Sequence, residues 1–233
     1  MNNQSNSDDL TDLLAGLREL SAQDSSSAFQ ELASQIQAVP VRGHAVVPTA
    51  CSTTDQCLAQ ALSTVQSDGS FAHAIATAAK NASWQEASRG VPEFFAGGYG
   101  YTTLITEQPP VTSDSLRIGL LLQRPQISYP GHAHDAEEFY FILSGEANWQ
   151  VDETSFEVSA GDLIHHPPTA IHAMQTTRHP LLAAWVWRGA LAGRFWYESA
   201  PGIDCPRSGY DTPFVGRSLG PVQNPFRTIH KSA

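Results

Sequence analysis

The stretch Gly131-His132-Ala133-His134-Asp135-Ala136-Glu137-Glu138-Phe139-Tyr140-Phe141-Ile142-Leu143-Ser144-Gly145 decides how this chain is read. It places His132, His134 and Glu138 in the order His-x-His-x-x-x-Glu, and His172 follows downstream. Three imidazoles and one carboxylate fill four positions of an octahedral ion and leave two open. A transition metal with open positions activates or anchors a substrate rather than stapling a fold. Residues at i and i+2 of a strand share a face, so His132 and His134 project together, as do Glu138 and Tyr140. The run from Glu138 to Leu143 is rich in aromatic and β-branched residues and reads as a strand. It is apolar on both faces apart from Glu138, and a carboxylate buried there needs a charge partner. A metal ion supplies one. Gly145 ends the run and Glu146-Ala147-Asn148-Trp149 begins a new strand, so Ser144-Gly145 predicts a hairpin turn.

These residues resemble the two signature motifs of the cupins. The first motif, two His, a Glu and a closing Gly, is met by His132, His134, Glu138 and Gly145. The second is met by Gly161, Pro167 and His172. Two positions depart from the pattern: Thr169 stands where a glycine is usual, and Thr176 where an asparagine is usual. Both touch turn geometry rather than ligands. The resemblance implies a mainly β fold, a double-stranded β-helix or jelly-roll-like barrel.

The remaining sequence agrees. Its 233 residues allow one domain of ordinary size or one domain with an extension, and 41% hydrophobic content supports a sizeable core. The net charge of -10 and the presence of only two lysines, Lys80 and Lys231, argue against a nucleic-acid partner. The polar, acidic start from Met1 to Asp9 lacks the features of a secretory leader, and no apolar stretch is long enough to span a membrane. A cytoplasmic location is expected. Cys51, Cys57 and Cys205 have no metal-type spacing and are expected to be reduced.

Periodicity divides the chain. Leu10, Leu13, Leu14, Leu17 and Leu20 repeat at helical spacing, and Phe29, Leu32, Ala33 and Ile36 do the same. Further helices are predicted near Gln56 to Val65 and Phe71 to Ala82. From Glu93 onward short apolar runs are punctuated by Gly and Pro, the texture of an antiparallel barrel. Nine strands are predicted: Tyr101 to Ile105, Leu116 to Gln123, Glu138 to Leu143, Glu146 to Val151, Ser155 to Val158, Asp162 to His165, His172 to Gln175, Leu182 to Trp187 and Phe195 to Glu198. The expected organisation is a helical extension over residues 1–92 packed on a barrel over residues 93–233. A homodimer is expected.

Around the motifs stand Tyr129, Tyr140, Trp185 and Trp187. With the helical extension and the length, this set resembles the cupin-type dimethylsulfoniopropionate (DMSP) lyases, closest to the DddL-like branch with DddQ-like enzymes as near relatives. The resemblance implies cleavage of DMSP to dimethyl sulfide and acrylate. It implies one divalent metal ion, Zn, Fe, Mn, Co or Ni, on His132, His134, Glu138 and His172. The chemistry is coherent. Elimination removes a weakly acidic proton next to the carboxylate, and a divalent cation on that carboxylate stabilises the charge that develops. Tyr140 is the first choice for the base, because a nearby cation favours phenolate. Tyr129 is the second choice, or a donor to the substrate carboxylate. Trp187 and Trp185 offer aromatic faces to the sulfonium.

Plainer roles are expected elsewhere. His165 and His166 face opposite ways, and neither is expected as a ligand. Glu137 points away from Glu138 and is expected in solvent. Tyr101 and Tyr197 are expected in the core, and His44, His73, His179 and His230 carry no motif. Two other functions share these ligands: an Fe(II)-dependent dioxygenase acting on a small organic acid, and a non-catalytic cupin that binds a small acid.

Overall fold

Alternation along single strands sorts this chain into layers. The computed structural model describes residues 3–41, 47–67, 69–86, 97–106, 112–198 and 227–229. Four helices come first: α1 (Asn3–Gln23), α2 (Ser27–Gln37), α3 (Ser52–Ser63) and α4 (Gly69–Asn81). The strands are β1 (Gln85–Glu86), β2 (Tyr99–Ile105), β3 (Leu116–Gln123), β4 (Ser128–His134), β5 (Glu137–Ser144), β6 (Glu146–Val151), β7 (Thr154–Ser159), β8 (Asp162–His166), β9 (His172–Thr176), β10 (Leu181–Arg188), β11 (Phe195–Tyr197) and β12 (Arg227–Ile229). All helices and strands predicted from periodicity are present, with shifted ends. Helix α3 starts at Ser52, ahead of the predicted Gln56, because the Thr54 hydroxyl accepts the Cys51 N–H at 2.8 Å and caps it there.

The strands form two antiparallel sheets, β1-β2-β3-β10-β5-β8-β12 and β11-β4-β9-β6-β7, the cupin arrangement with a helical extension. The register of β5 shows what the alternation does. Phe139, Phe141 and Leu143 join the core that the sheet shares with the helices, with Leu17, Phe29, Ile36 and Ile75. Tyr140 and Ile142 join a second core inside the barrel, with Trp149, Met174 and Trp185. Phe29 locks the helical layer down, its ring edge-on to Phe139 at 5.1 Å and to Phe141 at 6.1 Å. Such aromatic pairs add about 0.5–1.5 kcal/mol each beyond their buried area.

The hairpin expected at Ser144-Gly145 is corrected. Strands β5 and β6 lie in different sheets, so the chain changes sheet at Gly145. That corner requires glycine: φ is +84°, and a Cβ there would lie 2.1 Å from the Pro180 carbonyl oxygen. Strand β4, which carries two of the candidate ligands, lies beyond the predicted strands. Pro130 and Gly131 interrupt its apolar pattern, and its pairing with β9 is irregular between Tyr129 and His132.

The cupin-motif departures also have structures. Thr169 adopts φ +67°, the left-handed region that favours glycine, and its N–H donates to the His134 carbonyl at 2.9 Å. Thr176 uses its hydroxyl as a clasp, accepting the Ile127 N–H at 3.0 Å and donating to the Arg124 carbonyl. Cys51 and Cys57 are free thiols, and burial pushes Cys57 up to about 11. Cys205 lies outside the described residues. Among the described residues no helix is long and apolar enough to cross a membrane.

Candidate metal centre and cavity

Facing strands bring the candidate ligands together. His132 and His134 end β4, and His172 begins β9 opposite His132. Two residues, Asp135 and Ala136, carry the chain from β4 across to the other sheet, where Glu138 sits on β5. There Glu138 lies between Trp187 of β10 and His166 of β8. Ligand atoms of His134, Glu138 and His172 all fall within 4.8 Å of one another, and all three residues are buried. His132 stands beside this trio, its ring centroid 4.0 Å from that of His172 and 6.4 Å from that of His134.

Hydrogen bonds fix the tautomers. The Nδ1 atoms of His132, His134 and His172 lie 2.9, 2.8 and 2.9 Å from the carbonyls of Pro130, Ala136 and Ala170. A carbonyl only accepts, so each Nδ1 carries a proton, and each ring in its neutral form presents an Nε2 lone pair. The Nε2 atoms of His134 and His172 lie 3.2 and 3.1 Å from Glu138 Oε2, and His172 Nε2 is buried with no hydrogen-bond partner. Lone pairs converging on a carboxylate at that distance need a positive charge among them. A divalent cation fits this donor set, and the pinned Nδ1 protons are the outer-shell support that metal-binding imidazoles usually have.

His166 has a different task. The Trp149 indole N–H donates to its Nε2 at 3.0 Å, which leaves its Nδ1–H to donate to Glu138 Oε2, also at 3.0 Å. The Trp187 indole donates to the other oxygen, Oε1, at 2.7 Å. Burial works against charge on Glu138, but attraction to His134 in its protonated form and hydrogen bonds from that ring and from His166 outweigh it, and the carboxyl is held well below its ordinary range. Burial and the neighbouring His172 push His166 down to about 3. Burial followed by His172 also lowers His132 well below its usual value. For His134 burial lowers, but attraction to Glu138 prevails and the net direction is upward. Burial, and then Glu138, push the Tyr140 phenol well above its ordinary value, so the surrounding protein keeps it protonated.

A cavity of about 660 Å³ opens onto His132, His134 and Glu138. Tyr129, Tyr140, Trp185 and Trp187 line it. Tyr101 and Tyr197 line it as well; the sequence reading placed both in the core, and Tyr197 is buried while Tyr101 is only partly so. Tyr99, Phe195, Arg117 and Glu86 also face it; each is an ordinary sheet residue in sequence, and only strand pairing brings it here. Glu137 is not in solvent. Arg188 reaches its carboxylate at 2.6 Å and His165 at 2.7 Å, while the His165 ring stacks on Phe139 at 4.8 Å. His73 pairs with Thr77 on α4, away from the site, and His44 and His230 lie outside the described residues.

Comparison with known proteins agrees with this geometry. Residues 21–183 match the family model described as dimethylsulfoniopropionate lyase. The chain is 31% identical over 198 residues to the dimethylsulfoniopropionate lyase DddQ of Ruegeria pomeroyi, covering 83% of this chain and 93% of that one. It is 29% identical over 122 residues to the putative dimethylsulfoniopropionate lyase DddL of Cereibacter sphaeroides, covering 52% of this chain and 51% of that one. The crystal structure of DddQ from Ruegeria pomeroyi matches with a TM-score of 0.67 at 25% identity, over 84% of this chain and 99% of the other.

Proposed function

The chain belongs to the dimethylsulfoniopropionate lyase family, and on that premise we propose that it is a carbon–sulfur lyase splitting DMSP into dimethyl sulfide and acrylate. The observation that carries the reading is the convergence of imidazole lone pairs on Glu138 Oε2, at 3.2 Å from His134 and 3.1 Å from His172, at the wall of a cavity lined with aromatic rings. His132, His134, Glu138 and His172 are the four ligands in this reading, a donor set that suits Zn, Fe, Mn, Co or Ni. A divalent ion held there supplies Lewis-acid stabilisation of the negative charge that grows on the substrate carboxylate.

The chain's own groups do the rest. Tyr140, two residues beyond Glu138 on the same strand face, would act as phenolate, a form that a divalent ion held beside it would favour once its own proton has passed to solvent, and so take the proton from the carbon next to the carboxylate. The electron pair left behind forms the double bond of acrylate and expels dimethyl sulfide. Tyr129, whose ring meets that of His132 edge-on at 4.3 Å, donates to the substrate carboxylate or stands in as the base. Trp187 holds Glu138 in place through its N–H, and Trp185 and Trp187 belong to the aromatic wall of the cavity.

The test is to incubate the metal-loaded protein with DMSP without oxygen and sample the headspace. Dimethyl sulfide with equimolar acrylate is expected. Turnover only after oxygen is admitted indicates a dioxygenase, and tight binding without turnover indicates a binding cupin.

A further inference from the structure

The cavity has two unlike flanks. On the His134 side, the Trp187 ring lies 4.3 Å from the His134 ring, and the Arg117 guanidinium sits over Trp187, 5.4 Å from its centroid. Arg117 is held there by strand register opposite Trp187 and by its donation to the Leu191 carbonyl at 2.9 Å. On the His132 side stand phenols. Tyr129 meets His132 at 4.3 Å, Tyr197 lies 6.2 Å from it, and Tyr99 stacks on Tyr129 at 4.8 Å. Glu86 faces the cavity from β1, in register with Gly100 between Tyr99 and Tyr101. Tyr101 in turn faces Leu121, four residues along β3 from Arg117, or about 13 Å along the strand.

We propose that the dimethylsulfonium group docks on the tyrosine flank, against Tyr99 and Tyr197 beside Tyr129, and not on Trp187. This rests on the DMSP reading and deepens it. A sulfonium over Trp187 would compete with a guanidinium for the same π face and meet its like charge. Tyrosine faces attract a cation through the same ring quadrupole, and the Glu86 carboxylate favours a cation at that end. The substrate then lies with its carboxylate toward Arg117 and the ion that Glu138 would help to hold, and its sulfonium toward the phenols.

The test uses two unreactive ligands of one shape. Calorimetric titration of the metal-loaded protein compares 3-(trimethylammonio)propanoate with 4,4-dimethylpentanoate, an isostere that keeps the carboxylate and lacks the cationic centre, and the readout is the ratio of their affinities. The wild type should prefer the cation. Tyr99→Leu and Tyr197→Leu should each lower that preference roughly fivefold while the isostere binds much as before. Tyr99→Phe and Tyr197→Phe retain the π face and should retain most of the preference. Trp187→Leu should weaken both ligands alike, because it releases Glu138. The proposal is overturned if the leucine variants keep the wild-type ratio, or if Trp187→Leu alone abolishes it. A wild type that releases dimethyl sulfide yet shows no cation preference overturns the subsite only. A wild type that releases none overturns the lyase reading itself.

Discussion

Glu137 points out of β5 toward the helical layer, where Arg188 Nη2 and Nε lie 2.6 and 2.7 Å from its carboxylate and His165 closes the other side at 2.7 Å. Glu138, the next residue, points into the barrel and meets His134, His166, His172 and Trp187, with no arginine or lysine among its partners in the described residues. Both carboxylates are largely removed from water, so both need a countercharge. The outer one has a permanent guanidinium that also reaches the α2 backbone at Ala28 and so ties helix to sheet. The inner one has neutral nitrogens arranged around the place where a cation would go. Strand parity alone decides which carboxylate faces the helices and which faces the cavity.

The contrast is most exposed to variants of the inner set. His132→Ala, His134→Ala and His172→Ala should each lose most bound metal and essentially all dimethyl sulfide release, with far-ultraviolet circular dichroism little changed. Elemental analysis finding full occupancy in all three would remove these residues from the ligand set. Tyr140→Phe comes next. Turnover should fall by about 10²–10⁴ while metal content and substrate affinity hold, because only a transition-state interaction is lost. Tyr129→Phe should cost less, and the reverse order would move the base role to Tyr129. On the outer side, Arg188→Met should lower stability by roughly 2–3 kcal/mol in denaturant titration, since it strands Glu137, yet leave metal stoichiometry intact. Metal loss in that variant would erase the distinction between the two carboxylates. The smallest effect belongs to Thr169→Gly, which relieves a β-branched residue at φ +67° and should stabilise by about 0.5 kcal/mol, measured as a small rise in Tm.

Much of this site was legible in the sequence because the ligands lie close together in it. His132, His134 and Glu138 flank one short crossing between the sheets, and i, i+2 parity places Tyr140 on the face of Glu138. His172 came from the second motif, and the glycine-favouring turn was marked by Thr169. The helices were legible because Leu13, Leu17, Phe29 and Ile36 repeat at their period. The far wall was not. Tyr99, Tyr197, Arg117 and Glu86 reach the cavity only through pairings of strands distant in sequence, and no local period carries that information. The Ser144-Gly145 corner misled for a related reason. Two strands joined by a single residue look like a hairpin until both sheets are known, and the backbone at Pro180 and Leu181 that demands glycine comes from the start of β10, distant in sequence. Glu137 looked solvated because its partner Arg188 is 51 residues away.

The most direct test follows metal and product in one titration. The purified full-length chain is stripped with a chelator and returned to excess DMSP, a divalent ion is added back in steps, and bound metal and headspace dimethyl sulfide are measured at each step. The account predicts no release from the stripped protein and a rate that rises in proportion to occupancy until one ion is bound per chain. Undiminished release from fully stripped protein, or none from protein carrying one ion per chain, would contradict it.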